Sequence, residues 1–304
     1  MQLGDISALH VELSSKCNAW CPGCPRNFNG YGLRPNVNPT NLELIKLYSA
    51  FDKLPNLTRV QLCGRFGDPL MHNDLFQVIE TIVSKKYHLQ IHTNGSLRNV
   101  EWWSNLGNLL KNHSHQIWFG LDGLEDTHSL YRQATDFNKV IENASAFIKH
   151  GGHAIWQFIP FRHNEHQVKD CIKLAKKLGF KNFEIIEGVR NPTSARNYIT
   201  GEEYELLPWS KTSELNYREY APKLVYENCA HLMAPGLYIT ASGKYTLCCH
   251  FDSVYPEYDS ILYDTIEETV PLDIEYEIKT TPRPLCVKAC ANLRMPRKLL
   301  ELNT

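Results

Sequence analysis

Three cysteines stand close together near the start of the chain, in Cys17-Asn-Ala-Trp-Cys21-Pro-Gly-Cys24. Gaps of three and two residues in one tight loop let their sulfurs converge on one metal centre. Three thiolates fill three corners of a cubane iron–sulfur cluster and leave one iron without a protein ligand, open to a substrate or cofactor. Zinc is the alternative, with His10 or His72 closing a tetrahedron. A second group lies late in the chain: Cys229 and Cys248 bracket Gly243, and Cys286-x3-Cys290 follows. Four thiolates complete a cubane with no open iron, and they suit structural zinc equally well. Cys249 neighbours Cys248, and on a strand the two side chains point to opposite faces. Cys249 thus either replaces Cys248 as a ligand or faces the substrate and donates a hydrogen atom. Cys63, at the end of an apolar strand, and Cys171, in an amphipathic helix, read as core residues.

The elements that must position these thiols alternate. Leu9–Leu13, Arg59–Cys63, Leu89–Thr93, Ile117–Leu121, Ile155–Phe161 and Phe183–Ile186 read as strands. Between them run stretches of helical period, such as Leu44, Leu47, Tyr48 and Phe51, or Leu75, Val78, Ile79 and Ile82. Thr40 with Glu43, and Asn164 with Gln167, have capping-box spacing. Gly179 ends the helix that carries Val168 and Ile172. Such alternation predicts a parallel sheet with helices outside it. A closed eight-unit barrel normally takes about 250 residues, so residues 1–187 are expected to form a partial (β/α)6, TIM-like barrel. The Cys17 loop follows its first strand, at the end where barrel active sites sit. Residues 188–228 read as a connecting region. In 229–304, the segments Leu237–Ala241 and Lys244–Cys248 flank Ser242-Gly243 as a β-hairpin, and a terminal helix is expected within Val287 to Leu302.

The chain has 304 residues, 43% hydrophobic and 21% charged, which excludes disorder and low complexity. Its 32 basic and 33 acidic residues give a net charge of −1, so no long-range field draws it to nucleic acid or an anionic membrane. The first residues lack the basic start and apolar run of a signal peptide, and no apolar run approaches the roughly 18 residues of a membrane helix. A cytoplasmic protein is expected. In that reducing setting its ten cysteines are ligands or core residues rather than disulfides.

The Cys-x3-Cys-x2-Cys loop after the first strand of a β/α chain resembles that of the radical S-adenosylmethionine (radical SAM) superfamily. Gly67-Asp68-Pro69 resembles the family's Gly-Glu-Pro segment, whose backbone holds the amino group of SAM. His92-Thr93-Asn94-Gly95 resembles the Thr-Asn-Gly at the end of the next strand. Leu121-Asp122-Gly123 with His128 and Tyr131-Arg132, and then Gln157 through Gln167, resemble stretches of the subgroup with C-terminal auxiliary clusters. Residues 229–304 are similar to the Twitch domain, a shortened SPASM domain that holds one auxiliary [4Fe–4S] cluster. Where the family has an aromatic residue against the adenine, this chain has Gly23, with Trp20 as a candidate substitute.

The resemblance implies an enzyme that cleaves SAM reductively at a [4Fe–4S] cluster to give a 5′-deoxyadenosyl radical, which abstracts a hydrogen atom from a substrate. It implies Cys17, Cys21 and Cys24 as ligands of the SAM cluster and Cys229, Cys248, Cys286 and Cys290 as ligands of the auxiliary one. Gly67, Asp68, Pro69, Thr93, Asn94, Asp122 and Gln157 are expected at the cofactor, with Asp122 and Cys249 as candidate catalytic groups. His72, His92 and His163 are expected to be hydrogen-bonded structural residues. A peptide or protein substrate is expected, with small-molecule oxidation as the alternative and flavodoxin or ferredoxin as electron donor. The residues before Cys17 are expected to hold no leader-recognition domain. The reading of another class is a zinc-stabilised binding module without catalysis.

Overall fold

In β3 (His88–Thr93), Leu89, Ile91 and Thr93 are buried while His88, Gln90 and His92 turn the other way. The same alternation holds in β1 (Ala8–Val11) and β2 (Arg59–Leu62), where Leu9, Val11, Val60 and Leu62 face the core. Period-two strands of this kind put an aliphatic face against helices and a polar face, with His10, Gln61, Gln90 and His92, on the inside. A closed barrel fills its interior with branched apolar side chains. A polar interior is instead the lining of a site.

The computed structural model describes residues 2–111, 113–186, 194–210, 236–249, 262–269 and 298–302. After β1 and β2 come β3, β4 (Gln116–Gly120), β5 (His153–Phe158) and β6 (Asn182–Ile185), each parallel to the one before it. Helices α1 (Leu44–Lys53), α2 (Leu75–Ser84), α3 (Val100–Leu110), α4 (Glu125–Tyr131), α5 (Phe137–Lys149) and α6 (Val168–Leu178) connect them. This is the expected six-unit β/α order, with a mixed sheet that is largely parallel. Buried aromatics seal the outer layer: Trp103 meets Phe119 at 5.0 Å and Trp156 meets Phe180 at 5.4 Å between ring centroids. Such pairs add about 0.5–1.5 kcal/mol each beyond their burial. The Trp156 indole donates to the Leu121 carbonyl at 2.8 Å, so no polar atom of that ring is stranded.

Both edges of the six-strand sheet are covered. Strand β7 (Ser194–Arg196) pairs with β8 (Glu203–Glu205) in a separate hairpin. Strand β9 (Gly236–Ile239) runs parallel to β1, with Val11 opposite Ile239, and β10 (Tyr245–Thr246) returns antiparallel to β9. The turn is the expected one, with Gly243 at φ +77°. Short α7 (Ile266–Thr269) follows. The expected terminal helix is corrected over its described part: β11 (Lys298–Glu301) is a strand, antiparallel to β6. An open edge of β6 would leave backbone donors and acceptors unpaired, and pairing outweighs helical period there. The rest of that helix, and Cys229, Cys286 and Cys290, lie outside the described residues.

Two expected caps are also corrected. Thr40 pairs its backbone with Ser15, whose hydroxyl accepts from the Thr40 amide at 2.8 Å, and α1 begins only at Leu44. Asn164 makes no cap bond; its side chain donates to the carbonyls of Ile159 and Asp122. Both segments serve strand ends, although Asn164 still precedes a 3-10 turn, Glu165–Gln167, that leads into α6.

Candidate functional site

The open end of the polar interior is a cavity of ≈ 260 Å³, and Cys17, Cys21 and Cys24 all line it. The loop that carries them is held from several sides. The Asp68 amide donates to the Lys16 carbonyl at 2.9 Å, the Trp20 amide to Gln133 at 3.0 Å, and the Asn27 side chain to the Cys21 carbonyl at 3.0 Å. Cys21 is buried with Ala19, Tyr131, Ile159 and Phe161, and Cys17 and Cys24 pack on that cluster. The Asn94 amide points at the Cys17 sulfur, 3.7 Å away. Burial pushes the Cys17 thiol up from its ordinary pKa, and Asp68, Cys21 and Cys24 add repulsion. Adjacent buried thiols give up their protons when a cation shares the charge. This donor set fits an iron–sulfur cluster with one open iron.

His72 does not complete a zinc site. Its Nε2 is engaged by the Leu42 carbonyl at 3.1 Å and its Nδ1 accepts from the Asp74 amide at 3.2 Å. His10 reaches the Cys63 carbonyl through Nε2 and lies within reach of the Cys249 and Cys63 side chains on the cavity wall. His92 lines the cavity and stacks on Trp118 at 5.0 Å, while His163 stacks on Phe161 at 5.5 Å.

Gly67 is needed for a close approach. A Cβ there would stand 1.9 Å from the Ser14 carbonyl oxygen and 2.7 Å from that of Lys16. The turn therefore lies directly on the chain that enters the cysteine loop. Its amides at Phe66 and Gly67 donate to the buried Glu12 carboxylate at 2.6 and 3.3 Å, a role that nothing in the spacing of Glu12 announced. The Asp68 carboxylate accepts from the Leu70 amide (3.0 Å), the Thr93 hydroxyl (2.9 Å) and the Asn94 amide (2.8 Å). Burial still holds its pKa above the ordinary range. Two segments singled out separately in the sequence are thus bonded to each other. Pro69 opens a short 3-10 turn and is buried, away from the cavity lining.

Asp122 is placed differently from the expectation that it touches cofactor or substrate. It is fully buried and does not line the cavity. One carboxylate oxygen accepts from the Ile159 amide and the other from Arg132 Nε, both at 2.6 Å. The cavity-facing group is Arg132, with Gln157 and Gly120 beside it. Asp122 raises the already high pKa of the guanidinium against burial, so the charge is permanent. Gln157 donates to buried Glu184 at 2.7 Å. Behind this wall His128 accepts from the Asp122 amide at 3.3 Å, and burial with the nearby Arg132 lowers its pKa to about 3.

Trp20 has both faces covered. Tyr198, from the turn of the β7–β8 hairpin, stacks on it at 3.7 Å and 9°, and the Arg26 guanidinium lies 4.7 Å from its ring. It is therefore not a free platform for an adenine, as Gly23 had suggested. Cys171 is buried in α6 as expected. Cys63 is not: the residue after buried Leu62 falls on the opposite face and lines the cavity. Cys248 packs against the main core, whereas Cys249 lines the cavity.

No protein-family model matches the chain. It is 30% identical over 81 residues to the 7-carboxy-7-deazaguanine synthase of Aquifex aeolicus (strain VF5), a match that covers 27% of the chain and 33% of that protein. The chain thus spans about a third of that curated relative's length. Streptococcus suis SuiB bound to S-adenosylmethionine superposes with a TM-score of 0.57 at 14% identity, over 91% of this chain and 67% of that one. Native anSMEcpe with bound AdoMet and the Cp18Cys peptide gives 0.54 at 15% identity, over 89% and 81%. These neighbours are radical SAM enzymes. Among the described residues no helix is long and apolar enough to cross a membrane. The chain has the fold of the radical SAM enzymes, with its three-cysteine loop at the open end of the partial barrel.

Proposed function

We propose that the chain is a radical SAM enzyme. The observation that carries this is the convergence of Cys17, Cys21, Cys24 and the fixed cation Arg132 on one cavity. The three thiols would hold a [4Fe–4S] cluster and leave one iron without a protein ligand. A cluster and SAM bound there would supply one-electron reductive chemistry and hydrogen-atom abstraction from the substrate. The protein's residues place and shield it. Arg132, oriented by Asp122, offers a charge-assisted partner to a carboxylate such as that of SAM. The Glu12-held turn at Phe66 and Gly67 and the Asp68–Thr93–Asn94 bonds keep the wall beside the cysteine loop rigid. Gln157, His92 and Ile159 line the space left for substrate. Burial of Cys21 among apolar side chains keeps water from that side of the cluster.

A peptide or protein substrate is the reading favoured by the likeness to anSMEcpe, whose structure contains a peptide. Oxidation of a small molecule is the second reading; the sequence match to a 7-carboxy-7-deazaguanine synthase supports a small-molecule substrate. Cys248, with Cys229, Cys286 and Cys290, is assigned to an auxiliary [4Fe–4S] cluster in a Twitch/SPASM-like unit over 229–304, after the core of 1–187. A small low-potential protein, flavodoxin or ferredoxin, would supply electrons in the cytoplasm. The test is metal analysis of anaerobically reconstituted protein. Two cubanes mean about eight irons per chain, and replacement of Cys17, Cys21 and Cys24 by Ala should leave about four. Zinc in place of iron would contradict both assignments.

A further inference from the structure

We propose that Cys249 is a hydrogen-atom donor that faces the substrate, and that His10 positions its thiol. The proposal rests on the radical SAM reading above and extends it to how the reaction ends. β9 lies in register on the free edge of β1, with His10 opposite Tyr238, and β10 folds back on β9. β10 runs back along β9 to the level of His10, and the chain bends beyond Thr246 to bring Cys249 to the cavity wall. Beyond the end of β10 the two adjacent thiols part: Cys248 packs on the apolar core, and Cys249 lines the cavity with Cys17, Cys21 and Cys24. His10, on the polar inner face of β1, lines the same cavity. It stands within reach of both the Cys249 and the Cys63 side chains, and its Nε2 is tied to the Cys63 carbonyl. The thiol thus stands on the cavity wall beside an imidazole and is distinct from the three of the loop.

A thiol in that position has one chemistry that fits a carbon-centred substrate radical. The S–H bond of Cys249 breaks, a C–H bond forms on the substrate, and the unpaired electron is left on sulfur. The sulfur radical returns to thiol by taking one electron from the low-potential donor that serves the first step, and a proton from the solvent side through the neighbouring His10. The reaction class is therefore one in which hydrogen is returned to the substrate carbon, as in inversion or redox-neutral rearrangement, and not net dehydrogenation.

The experiment uses the reconstituted full chain in D2O with SAM and dithionite and no substrate. The thiol then carries deuterium, and a 5′-deoxyadenosyl radical formed in the cavity takes it. Deuterated 5′-deoxyadenosine is expected from the unaltered protein. Its share of the total should fall several-fold in Cys249→Ala and His10→Ala, and hold in Cys171→Ala, whose thiol is buried in α6 outside the cavity. A fall in Cys63→Ala without one in Cys249→Ala would overturn the proposal. Iron content should be the same in all. A second readout needs no turnover: SAM should protect Cys249 from iodoacetamide in a peptide map. Equal deuterium in Cys249→Ala, loss of about half the iron on that change, or no protection by SAM would each overturn the proposal. Absence of 5′-deoxyadenosine from the unaltered protein would instead remove the radical reading, and this one with it.

Discussion

The fully buried Asp122 carboxylate grips Arg132 Nε at 2.6 Å and turns the guanidinium into the cavity that the three loop cysteines line. Gly120 makes room for it: a Cβ there would stand 2.6 Å from the Arg132 Nη2. A carboxylate that faced the cavity would repel the carboxylate of SAM. Buried behind an arginine, it fixes a positive charge instead. The pair also makes the site fragile, because removal of one partner strands a buried charge at a cost of about 3–5 kcal/mol.

Arg132→Lys tests the charge without stranding Asp122. Lysine keeps the cation but loses the planar fork and the Nε bond. Loss of a charge-assisted bond worth about 1.5–3 kcal/mol should weaken SAM binding roughly 10- to 100-fold. Isothermal titration of anaerobic protein reads this directly, and unchanged affinity would place the SAM carboxylate elsewhere.

Gly67→Val should cost more than SAM affinity. Its first side-chain carbon meets the Ser14 and Lys16 carbonyls, which lead into the cysteine loop. Iron should fall to about half, from eight towards four per chain, as the first cluster is lost. Normal iron with weakened SAM binding would mean that the turn moves without disturbing Cys17.

Much of this architecture was legible from the residues. Leu89 and Ile91 against His88, Gln90 and His92 is a period of two that predicts both the strand and its inner face. The Cys17 loop follows β1 as its spacing required. What was not legible is pairing at a distance. Thr40 and Glu43 have capping-box spacing, yet the Thr40 backbone meets Ser15 because the end of β1 needs a partner. The Lys298–Glu301 segment gives no local sign that it will cover β6. Asp122 and Arg132 stand in the sequence as one strand-end acid and one helix-end base. Only the fold shows that the acid is hidden and the base is presented. Cys63 was misjudged where its own alternation with Leu62 would have turned it inward.

Tyr198→Ala should loosen the cysteine loop while leaving cofactor recognition alone. The Trp20–Tyr198 stack is worth about 0.5–1.5 kcal/mol, a loss of a few degrees in Tm by calorimetry. Because Tyr198 and Arg26 already cover Trp20, SAM affinity should hold within the error of titration. A large loss of affinity would mean that the indole is released to meet the adenine.

Acid should destabilise the wall behind Arg132. His128 has its pKa lowered to about 3 in the fold by burial and by Arg132, so the unfolded chain binds a proton first. Stability is whole above the ordinary histidine value of about 6.5 and is lost as pH falls towards the folded value, by about 2 kcal/mol at pH 5. Denaturant midpoints at pH 7 and pH 5 measure it. His128→Asn should be less stable at pH 7 and lose less between the two values. An equal loss in both proteins would assign the acid sensitivity to other groups.

The central claim is that Cys17, Cys21 and Cys24 form the site of reductive SAM cleavage. Its most direct test is anaerobic incubation of reconstituted protein with SAM and dithionite, with 5′-deoxyadenosine and methionine quantified by chromatography. The unaltered chain should form both in equal amounts. The variant with all three cysteines replaced by Ala should form neither, while retaining about four irons at the other site. Cleavage at the unaltered rate in that variant would contradict the assignment.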